Sequence, residues 1–186
     1  MIRTSLLMTF YLAVLTGIAY PLLMTGIGTL FFRDKAAGSL IVEDGRIVGS
    51  RLIGQEFSDP RYFWGRPSAT TPFPYNAGSS SGSNYGPLNP DLKKAIEVRR
   101  EALQRVDPDN EASIPIDLLT SSGSGLDPHI SLASAEYQAP RIARLRSLDI
   151  AAVRSLITAN IQTRQLGFLG EPVVNVLTLN RALDGK

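Results

Sequence analysis

From Thr4 to Phe32 the chain carries no charged side chain, a run of 29 residues fenced by Arg3 on one side and Arg33-Asp34-Lys35 on the other. A helix needs about 20 apolar residues to cross a hydrocarbon core of ~30 Å, so the run can span with tilt to spare. Secretory signals have apolar runs of only ~7–15 residues and end in small residues at a cleavage site. Here Gly28-Thr29-Leu30-Phe31-Phe32 closes the run with bulk, so residues 1–35 read as a retained N-terminal membrane anchor with its flanks. Phe31 and Phe32 fall where an interfacial aromatic belt sits. Pro21 removes a backbone donor inside the helix, which predicts a kink or a packed partner helix. Ala13 and Gly17 make a small-xxx-small pair through which a second helix could approach closely. Charge counting on the two flanks does not fix orientation; the short N-terminal tail favours the N-terminus inside and the remainder outside.

Residues 36–186 read as one soluble domain, long enough to bury a single sizeable core. The part beyond Phe32 holds 18 basic and 17 acidic residues, so no net charge steers it to nucleic acid. The absence of cysteine rules out a disulfide framework and any thiolate metal site.

The pattern of elements predicts an α+β fold: one transmembrane helix, then a mixed, helix-rich soluble domain with a small β-hairpin sheet. Ser39–Val48 places two β-branched runs around Asp44-Gly45, a dipeptide suited to a turn with two positive φ values. Glu43 and Arg46 then face each other across the strands. Leu52-Ile53 is a candidate further strand. Asn89-Pro90-Asp91 opens a helix with a cap, a first-turn proline and an acid at the positive end of the dipole. Its apolar stripe is Leu92, Ile96, Leu103 and Val106, interrupted by Arg99, with Glu101 and Arg105 paired outside. A short helix follows at 115–120. Ser131 can cap the next helix, which Ala139-Pro140 should break or restart. Asp149 can cap another whose buried face is Ile150, Val153, Ile157 and Ile161. After a turn at 167–172 the chain closes on an amphipathic segment with Val176, Leu179 and Leu183.

Gly65–Pro90 is the least regular stretch: 17 of its 26 residues are Gly, Pro, Ser or Asn. Yet Tyr62, Phe63, Trp64, Phe73, Tyr75 and Tyr85 lie in or beside it, and disordered segments are poor in aromatics. We therefore expect a long ordered loop pinned by its rings, and ordered loops of this length are usually functional. Most catalytic templates fail. The single histidine, His129, excludes a two-histidine metal site, so no metal is expected. Asp127, His129 and Ser131 could formally make a hydrolytic triad, but no G-x-S-x-G elbow accompanies them. An anchored extracytoplasmic hydrolase, or an anchored binding or scaffold domain, is the alternative reading. The Ser-Gly run Ala77–Asn84 could offer backbone amides to a phosphate through Gly78, Gly82, Ser83 and Asn84. It lacks the lysine and preceding strand of a P-loop.

Several blocks in order carry a resemblance: Tyr20-Pro21-Leu22-Leu23, Gly54-Gln55-Glu56-Phe57, Tyr62-Phe63-Trp64-Gly65-Arg66-Pro67-Ser68-Ala69, Pro74-Tyr75-Asn76, Gly82-Ser83-Asn84, Ser122–Ile130, Gly170–Leu177 and Leu179–Asp184. Together they resemble the C subunit of the Kdp potassium-transporting ATPase. The resemblance implies an accessory subunit without chemistry of its own in a bacterial high-affinity potassium importer. It also implies a place in the cytoplasmic (inner) membrane beside a channel-like potassium-binding subunit, a P-type ATPase subunit and a small membrane peptide. It further implies a role in assembly and a catalytic-chaperone effect on ATP affinity, with no cofactor tightly bound and ATP reached through the ATPase subunit. The residues we expect at partner contacts are Tyr62, Trp64, Arg66, Tyr75 and Asn84, with Ala13 and Gly17 in the anchor.

Overall fold

The computed structural model describes residues 1–185. They group into two compact units that divide between Ser50 and Arg51, so the hairpin falls with the N-terminal apolar helix.

In the first unit, Ile2–Phe31 forms one continuous apolar helix, long enough to cross a membrane and with no residue of its apolar window buried. It is α-helical over Ile2–Val14 (α1) and again over Tyr20–Phe31 (α2), with a π-helical turn at Leu15–Ala19 between them. The Tyr20 amide donates to the Leu15 carbonyl, five residues back instead of four. Pro21 explains the position: it has no donor, and its ring crowds the carbonyl four residues earlier, so the preceding turn widens. The backbone disturbance expected at Pro21 thus takes the form of a π turn on its N-terminal side. A short helix, Arg33–Ala36 (α3), ends the segment. Leu40–Glu43 (β1) and Arg46–Ser50 (β2) then pair antiparallel, with Glu43 opposite Arg46. Asp44 and Gly45 at the turn have φ values of 49° and 75°, the pair of left-handed residues that such a hairpin needs.

In the second unit, Leu52 and Ile53 form no strand: they lie in a turn that ends at a single bridge residue. Pro90–Val106 (α4) begins with Asn89 accepting from the Asp91 amide at 2.8 Å. Among the described residues its exposed ion pair is Glu97–Arg100 and not the expected Glu101–Arg105. Ile116–Leu119 (α5) is the short helix. Leu132–Arg146 (α6) is capped by Ser131, and Ile150–Ala159 (α7) by Asp149. Pro140 does not break α6, contrary to expectation. Its ring is exposed, while Ser134, Ala135, Tyr137, Gln138, Ala139, Arg141, Ile142 and Ala143 around it are buried. Packing on that scale outweighs the ~3 kcal/mol that an internal proline costs a helix.

A second sheet joins His129–Ser131 (β3), Ile161–Gln162 (β4) and Val173–Asn175 (β5), antiparallel, with β5 in the middle. Ile130 lies opposite Val174, and Ile161 pairs with the same residue from the other side. The chain ends in Val176–Leu183 (α8), capped by Asn175. Phe63, Leu103, Leu118, Ile130, Ile142, Ile157, Val174 and Leu179 form the core between helices and sheet. The segment that carries Tyr62–Ser68 runs through this core in irregular conformation, which sets up the site.

Candidate functional site

An irregular segment inside a core must find partners for its backbone groups, since a buried unpaired amide or carbonyl costs about as much as a lost hydrogen bond. Here two side-chain amides supply them. Asn180 accepts from the Phe63 amide at 2.8 Å and donates to the Phe63 carbonyl at 3.0 Å. Gln138 accepts from the Trp64 amide at 2.8 Å and donates to the Trp64 carbonyl at 3.1 Å. Residues 63 and 64 thus receive from α8 and α6 what a neighbouring strand would have offered. Arginines continue the clamp. Arg141 donates to the carbonyls of Pro60 and Tyr62, and Arg99 donates to the Gly65 carbonyl at 2.8 Å and the Leu118 carbonyl at 3.1 Å.

The Trp64 ring holds both cations. The guanidinium carbons of Arg99 and Arg141 each lie 5.2 Å from its centroid, within cation–π range. Its indole N–H donates to the Asp59 carbonyl. Burial pushes Arg141 down to about 10 and also lowers Arg99. Tyr62 closes the outer end: its hydroxyl donates to Asp184, and Arg146 lies over its ring while pairing with the same carboxylate.

The loop beyond Gly65 folds back on this segment. Tyr75 donates from its hydroxyl to the Arg66 carbonyl at 2.6 Å, and burial pushes its phenol up to about 12. A Cβ on Gly65 would lie 2.6 Å from that hydroxyl oxygen, so the close approach needs glycine. A half-open cavity of about 320 Å³ remains, walled by Phe57, Trp64 and Tyr75, with Glu56, Arg66 and Arg99 supplying charge. Arg66 turns to Asp127 at 3.3 Å and to the Ser121 carbonyl, and its Nε is buried without a partner. For Asp127, burial works upward, but hydrogen bonds from His129 and the charge of Arg66 outweigh it and hold the carboxyl below its ordinary value.

Of the residues expected at partner contacts, Tyr62, Trp64, Arg66 and Tyr75 are therefore brought together in one assembly. Trp64 is only 6% exposed and lies at the heart of the domain. Asn84 is exposed, in left-handed conformation (φ 51°), within the Ser-Gly loop. Ala13 and Gly17 are exposed along the anchor; Gly17 lies inside the π turn, so the pair straddles a change of helix geometry. In the Ser-Gly loop the Gly78 amide donates to its neighbour Asn76, and Ser81 donates to the Ser124 carbonyl at 2.9 Å. Gly82 abuts Gly123, where a Cβ would meet the carbonyl oxygen at 2.8 Å. Gly82 thus sits where the Ser-Gly loop packs against the 122–125 loop, while Gly78 turns to a side chain of its own loop.

The formal triad does not assemble. The Ser131 hydroxyl lies 3.1 Å from both the Asp117 carboxylate and the Ser134 hydroxyl, while the His129 ring lies 3.3 Å from Asp127. Sequence reasoning passed over Gln138, Asn180 and Arg141. The signal was present: Gln138 falls in register with buried Ala135 and Ile142, and Asn180 with Val176 and Leu183. A single polar residue at core spacing marks a buried backbone waiting for a partner.

The family profile described as "K+-transporting ATPase, c chain" (KdpC) matches residues 2–185. The chain belongs to the KdpC family. Relatives described as potassium-transporting ATPase KdpC subunits include one from Methylococcus capsulatus, 58% identical over 182 residues, covering 98% of this chain and 96% of that one. Another, from Polaromonas naphthalenivorans, is 57% identical across 98% of this chain and 93% of its own length. A third, from Dechloromonas aromatica, is 56% identical across 99% and 96%. The KdpC match thus spans the anchor, the hairpin and the clamped core alike.

Proposed function

We propose that the chain is the accessory subunit of an ATP-driven potassium importer, anchored by Ile2–Phe31 in the inner membrane with residues 51–185 on the extracytoplasmic side. The observation that carries this reading is the family match across residues 2–185, at 52–58% identity to relatives described as KdpC subunits. Its partners are a channel-like potassium-binding subunit, the P-type ATPase subunit and a small membrane peptide. The domain supports assembly and holds the conformation of its neighbours, and it performs no bond-making step. Support for the last point comes from the site: Ser131 is committed to Asp117, and the polar groups around Trp64 are spent on backbone partners.

An effect on the ATP affinity of the complex follows as a coupling free energy, because a domain outside the membrane does not meet cytosolic nucleotide. Coupling of this kind is typically about 1–3 kcal/mol, or 5–150-fold in affinity. Of the amides considered for a phosphate, that of Gly78 already has a protein acceptor in Asn76, as that of neighbouring Ser81 has in the Ser124 carbonyl.

The test is a comparison of membranes with and without this chain. Loss of the chain is expected to abolish potassium-stimulated ATP hydrolysis, and the tagged chain should bring down two larger membrane proteins from mild detergent. Protease added to intact spheroplasts should cut the domain. Full pump activity without the chain, or protection of the domain in spheroplasts, overturns the corresponding part of the reading.

A further inference from the structure

The hairpin of β1 and β2 separates charge from open apolar surface. Paired residues in an antiparallel ladder share a side, and neighbours along a strand take opposite sides. The register therefore puts Leu40, Val42, Ile47 and Ser50 on one face, with Ile41, Glu43, Arg46 and Gly49 on the other. On the charged face Ile41 is only 5% exposed. On the uncharged face Leu40, Val42 and Ile47 are 43%, 56% and 65% exposed. Ser50, the polar side chain of that face, donates to the Gly38 carbonyl at 2.7 Å. A two-stranded hairpin is marginal in water by itself, so three open aliphatic side chains on one call for a cover.

The chain itself fixes what lies beside this face. Helix and hairpin belong to the same unit, and hydrogen bonds run from one to the other without a flexible gap. The Phe32 amide donates to the Gly28 carbonyl at 3.0 Å, the Ala36 amide to the Phe32 carbonyl at 2.8 Å, and the Ser39 amide to the Asp34 carbonyl at 2.8 Å. Ser50 then ties the end of β2 to the same turn through Gly38. Of the eight residues from Arg33 to Leu40, α3 takes four at about 1.5 Å each, so Leu40 stays within roughly 20 Å of the helix end. At Phe32 the backbone leaves the helical conformation (φ −131°, ψ 39°), so the chain is not carried straight on along the helix axis.

We propose that the face formed by Leu40, Val42 and Ile47 rests in the headgroup–acyl boundary of the lipid leaflet from which Ile2–Phe31 emerges. This rests on the membrane-spanning reading of that helix and not on the identity of its partners. Two observations choose lipid over a recess on a protein. The hydrogen-bonded connection holds the face beside the bilayer whatever the neighbouring subunits do. The face is also wholly aliphatic. Binding energy at protein interfaces concentrates in Trp, Tyr and Arg, with Leu and Val under-represented, whereas aliphatic groups gain by leaving water for acyl chains that need no shaped pocket. The charges agree. Glu43 and Arg46 stand on the opposite face, and Arg33 and Lys35, exposed at the end of the crossing helix, lie at the level of the phosphates that every phospholipid carries.

The experiment uses the full chain, assembled in its complex and reconstituted into phospholipid bilayers. The sequence has no cysteine, so a nitroxide on a single introduced cysteine reads without background. Labels on Val42→Cys and Ile47→Cys should lie about 5–10 Å below the phosphates, relaxed by oxygen in preference to a water-soluble nickel chelate. Labels on Glu43→Cys and Arg46→Cys should show the reverse preference. Positions 42 and 47 are exposed, so a label there leaves the core intact. Ile47→Trp gives a second measurement: brominated lipid should quench its emission several-fold more than that of the parent, whose single tryptophan, Trp64, is buried. Labels at 42 and 47 that are open to nickel, or shielded from both relaxants as they would be against a protein, overturn the proposal while leaving the membrane-spanning helix in place. Alkaline carbonate separates the two failures, because a chain that it washes off the membrane takes the anchor reading down together with the proposal.

Discussion

Two irregular stretches of the domain, Tyr62–Ser68 and Ala77–Asn84, have opposite fates. The first threads the core: Phe63 is fully buried, and its backbone groups and those of Trp64 are matched by Asn180 and Gln138. The second lies mostly exposed and is held by contacts with the Ser122–Gly125 loop. Neither has a regular element to satisfy its backbone. What separates them is side-chain area. Aromatic rings bury 150–250 Å² each, enough to draw a strandless segment inward and justify polar side chains as surrogate strand partners. Serine and glycine offer no such area, so their loop stays at the surface.

Trp64→Ala tests the comparison at its strongest point. Truncating a buried tryptophan costs about 3–5 kcal/mol, and here it also strips the shared ring from Arg99 and Arg141. The denaturation midpoint of the detergent-solubilised chain should fall steeply, and protease should reach the 65–90 loop. An unchanged midpoint breaks the picture of a clamped segment. Asn180→Ala comes next. It leaves the Phe63 amide and carbonyl buried without partners, at about 1–3 kcal/mol for each group left unmet. If Asn180→Ala is as stable as the parent, water or a relaxed backbone is doing the pairing.

How far the sequence discloses this depends on element length. The long apolar N-terminal helix, the Asp44-Gly45 hairpin and the caps Asn89, Ser131 and Asp149 each carry a local signature, and each forms where that signature lies. The second sheet has strands of only two or three residues, too short for any alternation to register. Pro140 misleads because local preference is overruled by a helix buried around it. At the candidate site the aromatics stand out by composition, and Arg99 stands out by interrupting a stripe. Gln138 and Asn180 act across 74 and 117 residues of sequence, and no local pattern records a pairing at that range.

A smaller effect is expected where the loop meets the segment. Tyr75→Phe removes a hydrogen bond to the Arg66 carbonyl, worth about 0.5–1.5 kcal/mol net. It should also change the alkaline limb of stability. Burial raises the Tyr75 phenol from its ordinary value near 10 to about 12, so the fold favours the neutral ring. That contribution is full below pH ~10 and disappears as pH climbs toward 12. Between pH 10 and 12 the parent should therefore lose stability relative to Tyr75→Phe, while Arg141 and Arg99, lowered by burial, tilt both profiles the other way and alike. Tyr137, also raised by burial, leaves a residual slope in both. Identical alkaline profiles would show that Tyr75 is not shielded from solvent as drawn.

The finest discrimination lies inside the Ser-Gly loop. A Cβ on Gly82 would sit 2.8 Å from the Gly123 carbonyl oxygen, a backbone atom that cannot swing aside, whereas at Gly78 the nearest atom is the Asn76 side chain at 3.3 Å. Neither glycine has a positive φ, so conformational freedom is not the issue. Gly78→Ala should change stability by less than about 0.5 kcal/mol, as surface substitutions do, and leave the ATP requirement of the complex unchanged. Gly82→Ala should cost more, on the order of 1 kcal/mol, because crowding of this kind typically costs that much or more. The order of the two variants is the informative quantity. Equal stability would mean the loops are not packed back to back, and a raised ATP requirement confined to Gly78→Ala would restore a phosphate-binding role to the loop's amides.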